Sequence, residues 1–305
     1  MSTHSSESSG LSERKHKEGV IAWLFSTPAL LLLIFFLAVP FFMAIGLSFT
    51  DQRLIPNPNL PTRFIGFRNY LRLLNDEAFR RGLLNNFYFA AVVVPLQTAL
   101  ALFLAILVNQ KLPAMNVFRT IYFSPVVTTM VVVAIIWTFL YNPKGLINTV
   151  IQTVSFGVLG PFNWLQNTKL VFPAIMVLSI WQGAGFQMVI FLAGLQDIPD
   201  YLYEAAEVDG ANMLQKFFFI TLPQLRNTTI FVVVSTTILA FKLFTQVEVM
   251  TQGGPQNASM TTVVHLVHEG WANLRVGYAA AISIVFFLIV LSVSIIQRRF
   301  LPTER

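Results

Sequence analysis

Five largely apolar stretches of this chain run for longer than a membrane core is thick without one charged side chain. They hold 32 residues between Glu18 and Asp51, 29 between Arg81 and Lys111, 24 between Arg119 and Lys144, 27 between Lys169 and Asp197 and 22 between Arg275 and Arg298. A helix needs roughly 20 mostly apolar residues to cross a hydrocarbon core of about 30 Å. A sixth run starts after Arg226, is interrupted by Lys242 and stays apolar to about Val249. Only 11% of the residues are charged, against about 25% in soluble domains. Lipid must therefore cover much of the surface, and a disordered chain, which needs the opposite composition, is excluded. The expectation is an all-α integral membrane protein with six transmembrane helices, near 20–48, 83–108, 118–140, 170–193, 228–249 and 277–297. The uncharged run 145–168 is rich in Asn, Gln and Gly and reads as a loop or interfacial segment.

The first run follows Arg14, Lys15 and Lys17, as a secretion signal would. It is too long for a signal's apolar region and ends without a small-residue cleavage site, so it counts as a span. The net charge of +6 is scattered among apolar runs and forms no stripe for nucleic acid. Without cysteine the chain has no disulfide, thiolate metal ligand or thiol nucleophile. Counting basic residues on the two sides gives ten against nine, so charge sets no orientation.

Residues 194–226 do not belong to lipid. They hold Asp197, Asp200, Glu204, Glu207 and Asp209, the densest acidic stretch in the sequence. The expected structure is two short helices. Asp197 caps the first, Pro199 sits in its first turn and 201–208 continue it. Asp209-Gly210 makes a turn, 211–220 form the second helix, and Pro223 stops it.

Within this loop the order Glu204-Ala205-Ala206, three residues, Gly210, nine residues, Ile220-x-Leu222-Pro223 resembles the EAA loop of binding-protein-dependent ABC importer permeases. Every fixed position is met at the right spacing. The wider text LYEAAEVDGANMLQKFFFITLP is similar to the carbohydrate-uptake branch, especially permease subunits of the maltose type and the glycerol-phosphate and sugar permeases. GFRNYLRLL, TQGGP and GYAAAISIVFFLIVL agree, so the resemblance covers roughly 20–300.

The resemblance implies one half of a solute importer of the cytoplasmic membrane of a prokaryote, with both termini and the EAA loop in the cytoplasm. The partners implied are a second permease subunit of different sequence, an ABC ATPase dimer and an extracytoplasmic solute-binding protein. By carry-over Glu204 is the polar contact to the ATPase, and Ala205 and Ala206 allow close approach. Asp209-Gly210 forms the turn, and Ile220, Leu222 and Pro223 lead into span five. The organisation expected is a disordered cytoplasmic tail at 1–18, the first span at 19–49, an extracytoplasmic loop at 50–81, a permease core at 82–297 and a cytoplasmic tail at 298–305. No Gly is followed by Lys, so the phosphate-cradling loop of an ATPase is missing. The expectation is a transport subunit, not an enzyme, that binds no cofactor itself; ATP and Mg belong to the ATPase.

Polar groups inside spans tend to face the bundle interior or a wet cavity. Ser235, Lys242 and Gln246 fall near one line on a continuous fifth helix, at 100° per residue. Lys242 reads either as a contact to sugar hydroxyls or an anion, or as a side chain reaching the outer headgroups. Gap-free alignment on the EAA loop implies other path positions: Thr236, Ala240 and Leu243 in span five, Trp181 and Gly183 in span four, Val126 and Met130 in span three. Ala240, Leu243, Val126 and Met130 depart from the polar pattern. His265, His268 and Glu269 lack a suitable fourth ligand nearby, and no metal site is expected. Asn69, Asn85 and Asn86 read as loop and span-entry residues. Sugar is the expected cargo, with glycerol 3-phosphate or another polar solute as the alternative. An intramembrane enzyme is remote, because the spans hold no catalytic pair.

Overall fold

The computed structural model describes residues 21–55, 61–110 and 114–300. The tail expected at 1–18, and 301–305 of the C-terminal tail, lie outside the described residues. Thirteen helices are labelled here in chain order. Four are continuous and apolar enough to cross a bilayer: α1 (Ile21–Ser48), α3 (Glu77–Val108), α7 (Val171–Gln196) and α13 (Val276–Phe300). Two further helix pairs reach that length and hydropathy only when each bent pair is taken together. α4 (Met115–Val127) meets α5 (Met130–Leu140) at 97°, and α9 (Met213–Gln224) meets α10 (Arg226–Phe241) at 66°. The shorter helices are α2 (Arg68–Leu74), α6 (Leu146–Val154), α8 (Asp200–Val208), α11 (Thr245–Met250) and α12 (Thr262–Val267).

The core forms where α3, α4 and α10 pack on α7, with Val93, Ile175, Leu178, Met188, Phe191 and Val232 almost fully buried. α1 lies outside this core and packs along α13. Glycines set two of the close approaches. A Cβ on Gly185 of α7 would run into the Tyr122 backbone carbonyl of α4. One on Gly82 of α3 would sit 2.9 Å from the backbone at Thr261–Thr262.

Two expected spans therefore need correction. Span three is not one helix over 118–140. Thr128 and Thr129 are extended (ψ 135° and 140°), which suits β-branched residues, and Pro125 removes one amide from the last turn of α4. Span five is not one helix over 228–249. α10 ends at Phe241, and 242–244 are non-helical before α11.

Such a break frees backbone groups that need partners in an apolar setting. Asn86 supplies some of them: its amide donates to Phe241 O (3.0 Å) and its carbonyl oxygen accepts from Thr262 N (2.9 Å). The Thr261 hydroxyl donates to Leu243 O at 2.8 Å. Asn85 donates to Ala258 O and Met260 O, and Asn69 to Ser48 O and Thr50 O. All three asparagines are thus tertiary cross-links.

Asp76 caps α3 by accepting from Phe79 N at 3.0 Å. Its carboxylate also accepts from the Tyr278 hydroxyl of α13 and lies 2.9 Å from His265 Nε2. Burial pulls this carboxyl up, but the hydrogen bonds from Tyr278, Phe79 N and His265 outweigh burial and leave it below its ordinary value. The segment 145–168 does not cross the bundle. Asn148 folds it back on itself, donating to Asn142 O and Phe162 O and accepting from Trp164 Nε1.

Candidate functional site

The loop between α7 and α10 has a packed inner face and an open outer one. Asp197 does not cap α8: it closes α7, its N–H bonding Ala193 O at 3.2 Å, and α8 starts behind Pro199 without a side-chain cap. Three amides close the end of α8, Asp209 N to Ala205 O, Gly210 N to Glu207 O and Ala211 N to Ala206 O. Gly210 takes φ +75°, the left-handed region that glycine enters freely. Asn212 and Gln215 then cap α9 reciprocally, at 2.9 and 2.7 Å. The Lys216–Glu207 ion pair ties α9 back to α8, and the Tyr203 and Thr221 hydroxyls bond at 2.9 Å.

Pro223 does not stop this second helix. The helix begins at Met213, later than expected, passes through a π-turn at Phe217–Thr221 and reaches Gln224. Proline is tolerated here because it falls at the start of the last short α-segment. The chain bends at Leu225, which is fully buried beside Met188, Phe191 and Val232.

Leu202, Tyr203 and Ile220 pack inward on that cluster. Glu204, Ala205, Asp209 and Gly210 are exposed, Ala206 is half-buried, and Leu222 and Pro223 are exposed on the last turn of α9. The outer face also presents Val208 (89% exposed) and Met213 (79%), with Tyr201, Leu214 and Phe219. An apolar knob of this kind, studded with carboxylates, is unusual outside an interaction surface.

The expected stripe of Ser235, Lys242 and Gln246 does not exist as one helical line, because the break at 242–244 separates its members. Ser235 bonds its own helix at Phe231 O, and Lys242 is exposed at the C-terminal end of α10. Gln246 is buried and donates to Ser179 of α7 at 3.1 Å. Thr236, Ala240 and Leu243 are buried in the bundle. Trp181 is half-exposed and its ring lies 5.5 Å from that of Trp137. Gly183 leaves room for the Gln97 side chain of α3, Val126 lies against Gly185, and Met130 packs on the core.

A polar seam that sequence reasoning missed joins several of these positions. Ser179, Gly183 and Gln187 recur every four residues along α7, so they share a face. They meet Gln246 of α11, Gln97 of α3 and Thr236 of α10 respectively. The four-residue spacing of small and polar residues was visible in the sequence.

His265, His268 and Glu269 do not converge. His265 pairs with Asp76, His268 with Glu248 at 3.0 Å, and Glu269 with Arg275 at 3.3 Å and Arg72 at 3.9 Å. No group of three or more His, Asp or Glu able to hold a metal is found among the described residues. The 50–81 and 251–275 segments meet, Leu54 N bonding Leu274 O at 3.0 Å, and Gln52 O of the first accepts from Gly277 N, just past the second, at 3.0 Å. A cleft of about 430 Å³ opens there, lined by Arg53, Arg63, Arg68, Arg72 and Arg275 together with Asp51, and Arg72 and Arg275 are paired with Glu269.

Residues 78–305 match the family described as "Binding-protein-dependent transport system inner membrane component". The chain is 35% identical to the "Probable ABC transporter permease protein YurN" of Bacillus subtilis, over 94% of this chain and 97% of that one. It is 34% identical to the "Trehalose/maltose transport system permease protein MalF" of Thermococcus litoralis, over 93% and 95%. Its fold matches a bacterial ABC transporter described as importing the acidic polysaccharide alginate, with a TM-score of 0.81, 21% identity and coverage of 95% and 99%.

Proposed function

Because the chain belongs to the family of binding-protein-dependent transport system inner membrane components, we propose that it is one membrane-spanning half of a sugar importer. It is a multi-pass transport subunit rather than an enzyme. In this reading the 194–226 loop lies in the cytoplasm with both termini. A second permease subunit completes the path, and a separate ABC ATPase dimer holds the ATP and Mg. An extracytoplasmic binding protein delivers the solute to the opposite face, where the arginine-lined cleft offers positive charge to an acidic partner surface.

The observation that carries the proposal is the construction of the loop. Its inner face is welded to the bundle through Leu202, Tyr203 and Ile220, while Glu204, Ala205, Val208 and Met213 stay exposed. A partner gripping that outer face moves α9, and α9 joins α10 through the buried Leu225. Relatives named for transport of trehalose and maltose support sugar as the cargo. The solute path then runs beside Trp181, Gly183, Val126 and Met130, with Thr236, Ala240, Leu243, Ser235, Lys242 and Gln246 on the span-five side. Trp181 beside Trp137 gives an aromatic face of the kind that stacks on a sugar ring.

The test is ligand-stimulated ATP hydrolysis by the chain reconstituted with its co-expressed partners, screened over neutral sugars and glycerol 3-phosphate. Stimulation by a neutral sugar, lost on Glu204→Ala, supports the proposal. Stimulation only by glycerol 3-phosphate moves the cargo to an anion and places weight on the exposed Lys242. Purification with no ATPase attached overturns the reading.

A further inference from the structure

Where α2 lies against the start of α3 and the middle of α13, two apolar grooves share one residue. The upper groove, about 500 Å³, is lined by Leu71, Leu74 and Phe79, with Arg80 among its walls. The lower one, about 310 Å³, follows α13 from Val285 to Ile296. Val285 lines both, so the two grooves adjoin at that side chain and are treated together as a furrow. Its lower part descends about 17 Å at 1.5 Å per residue, close to the hydrocarbon depth of one leaflet.

The upper end has the chemistry of a membrane interface. Phe67 just before α2, and Leu71 and Leu74 of α2, are 69%, 63% and 72% exposed, while Leu73 turns inward at 3%. Apolar side chains standing out from a short helix beside arginines suit the headgroup boundary. Arg80 makes no ion pair among the described residues, and a guanidinium is a strong partner for a phosphate. An apolar furrow of leaflet depth with one free guanidinium at the water end matches a phospholipid with an anionic headgroup.

We propose that this furrow holds one anionic phospholipid, of the leaflet away from the 194–226 loop, with its phosphate on Arg80 and an acyl chain along α13. The site is independent of which solute the chain transports. A neutral zwitterionic lipid fits the furrow equally but carries no net charge for Arg80, and anionic headgroups gain about fivefold in affinity per nearby basic side chain.

The experiment is native mass spectrometry of the full chain, extracted in neutral detergent and exposed to equal phosphatidylglycerol and phosphatidylcholine. The expected result is a single retained phosphatidylglycerol, whose preference over phosphatidylcholine falls about fivefold in Arg80→Gln and is unchanged in Arg81→Gln. Ser292→Trp, which fills the lower furrow far from Arg80, should lose both lipids. Equal retention of the two lipids, or an Arg80→Gln variant indistinguishable from the parent, overturns the proposal. So does displacement by free glycerol 3-phosphate, which would make Arg80 a soluble-anion site. The chain has no cysteine, so Val293→Cys gives a unique cross-linking site. Cross-linking there to a second protein chain in place of lipid also overturns the proposal.

Discussion

Gln187 of α7 donates its amide to the Thr236 hydroxyl of α10 inside the bundle, and the Gln187 carbonyl oxygen is buried with no partner among the described residues. The pair joins two spans at 4% and 5% exposure, so removing one member strands the other. Thr236→Val should cost about 1–3 kcal/mol, the penalty for an orphaned buried amide. The double change Gln187→Met with Thr236→Val should cost less than the sum of the singles. A double-mutant cycle on thermal unfolding in detergent reads this directly, and strict additivity would show the bond to be idle.

Two glycines of α7 should respond differently to the same methyl group. At Gly185 a Cβ meets the Tyr122 backbone carbonyl, which cannot move without shifting α4. At Gly183 it meets the far end of the Gln97 side chain, which can swing away. Gly185→Ala should therefore lower the yield of folded protein sharply, with overpacking costs of about 1–3 kcal/mol. Gly183→Ala should stay near the parent. Gel-filtration yield and melting temperature distinguish the two, and an inverted order would contradict the packing described.

Gly210→Ala forces a side chain into the left-handed region, at about 1–2 kcal/mol. The turn is exposed, so the fold of the bundle should persist. Ligand-stimulated ATP hydrolysis by the reconstituted assembly should fall several-fold, while Asp209→Ala, which leaves the turn backbone intact, should fall less. Equal activity of all three proteins would separate the turn from energy coupling.

Asp76 makes a pH prediction. Its carboxyl lies below the ordinary value of 3.8 because the hydrogen bonds it accepts exceed the effect of burial. A depressed acid contributes stability above its unfolded value and loses it as pH falls through the folded value. Thermal stability should therefore drop on acidification below about pH 4. Asp76→Asn should begin lower at neutral pH and show a smaller drop over that interval. Parallel melting curves for the two proteins would rule this out.

The spans were legible because hydropathy depends on composition, and charge-free runs of 22 to 32 residues leave few alternatives. Their breaks were not, because composition does not register the dihedral angles of one or two residues. Thr128 and Thr129 sit in an apolar run, and nothing in its hydropathy announces a 97° bend. Lys242 did signal a discontinuity, yet was placed on a continuous helix, and the stripe through Ser235 and Gln246 failed with that assumption. The turn at Gly210 was readable because glycine marks positive φ. Pro223 misled because proline is tolerated at the start of a helical segment as well as beyond its end. The seam through Ser179, Gly183 and Gln187 needed partners from three other helices, which no single segment could reveal.

The bend at Leu225 makes α9 and α10 the two arms of a bell crank whose pivot is fixed in the core. The 16 residues of α10 form an arm of about 24 Å. A rotation of only about 5° at the pivot would carry Phe241 through about 2 Å, roughly the radius of a water molecule plus a small gap. Phe241 is also where Asn86 holds the end of that arm, so a small swing at the loop pulls on a hydrogen bond at the far end of α10.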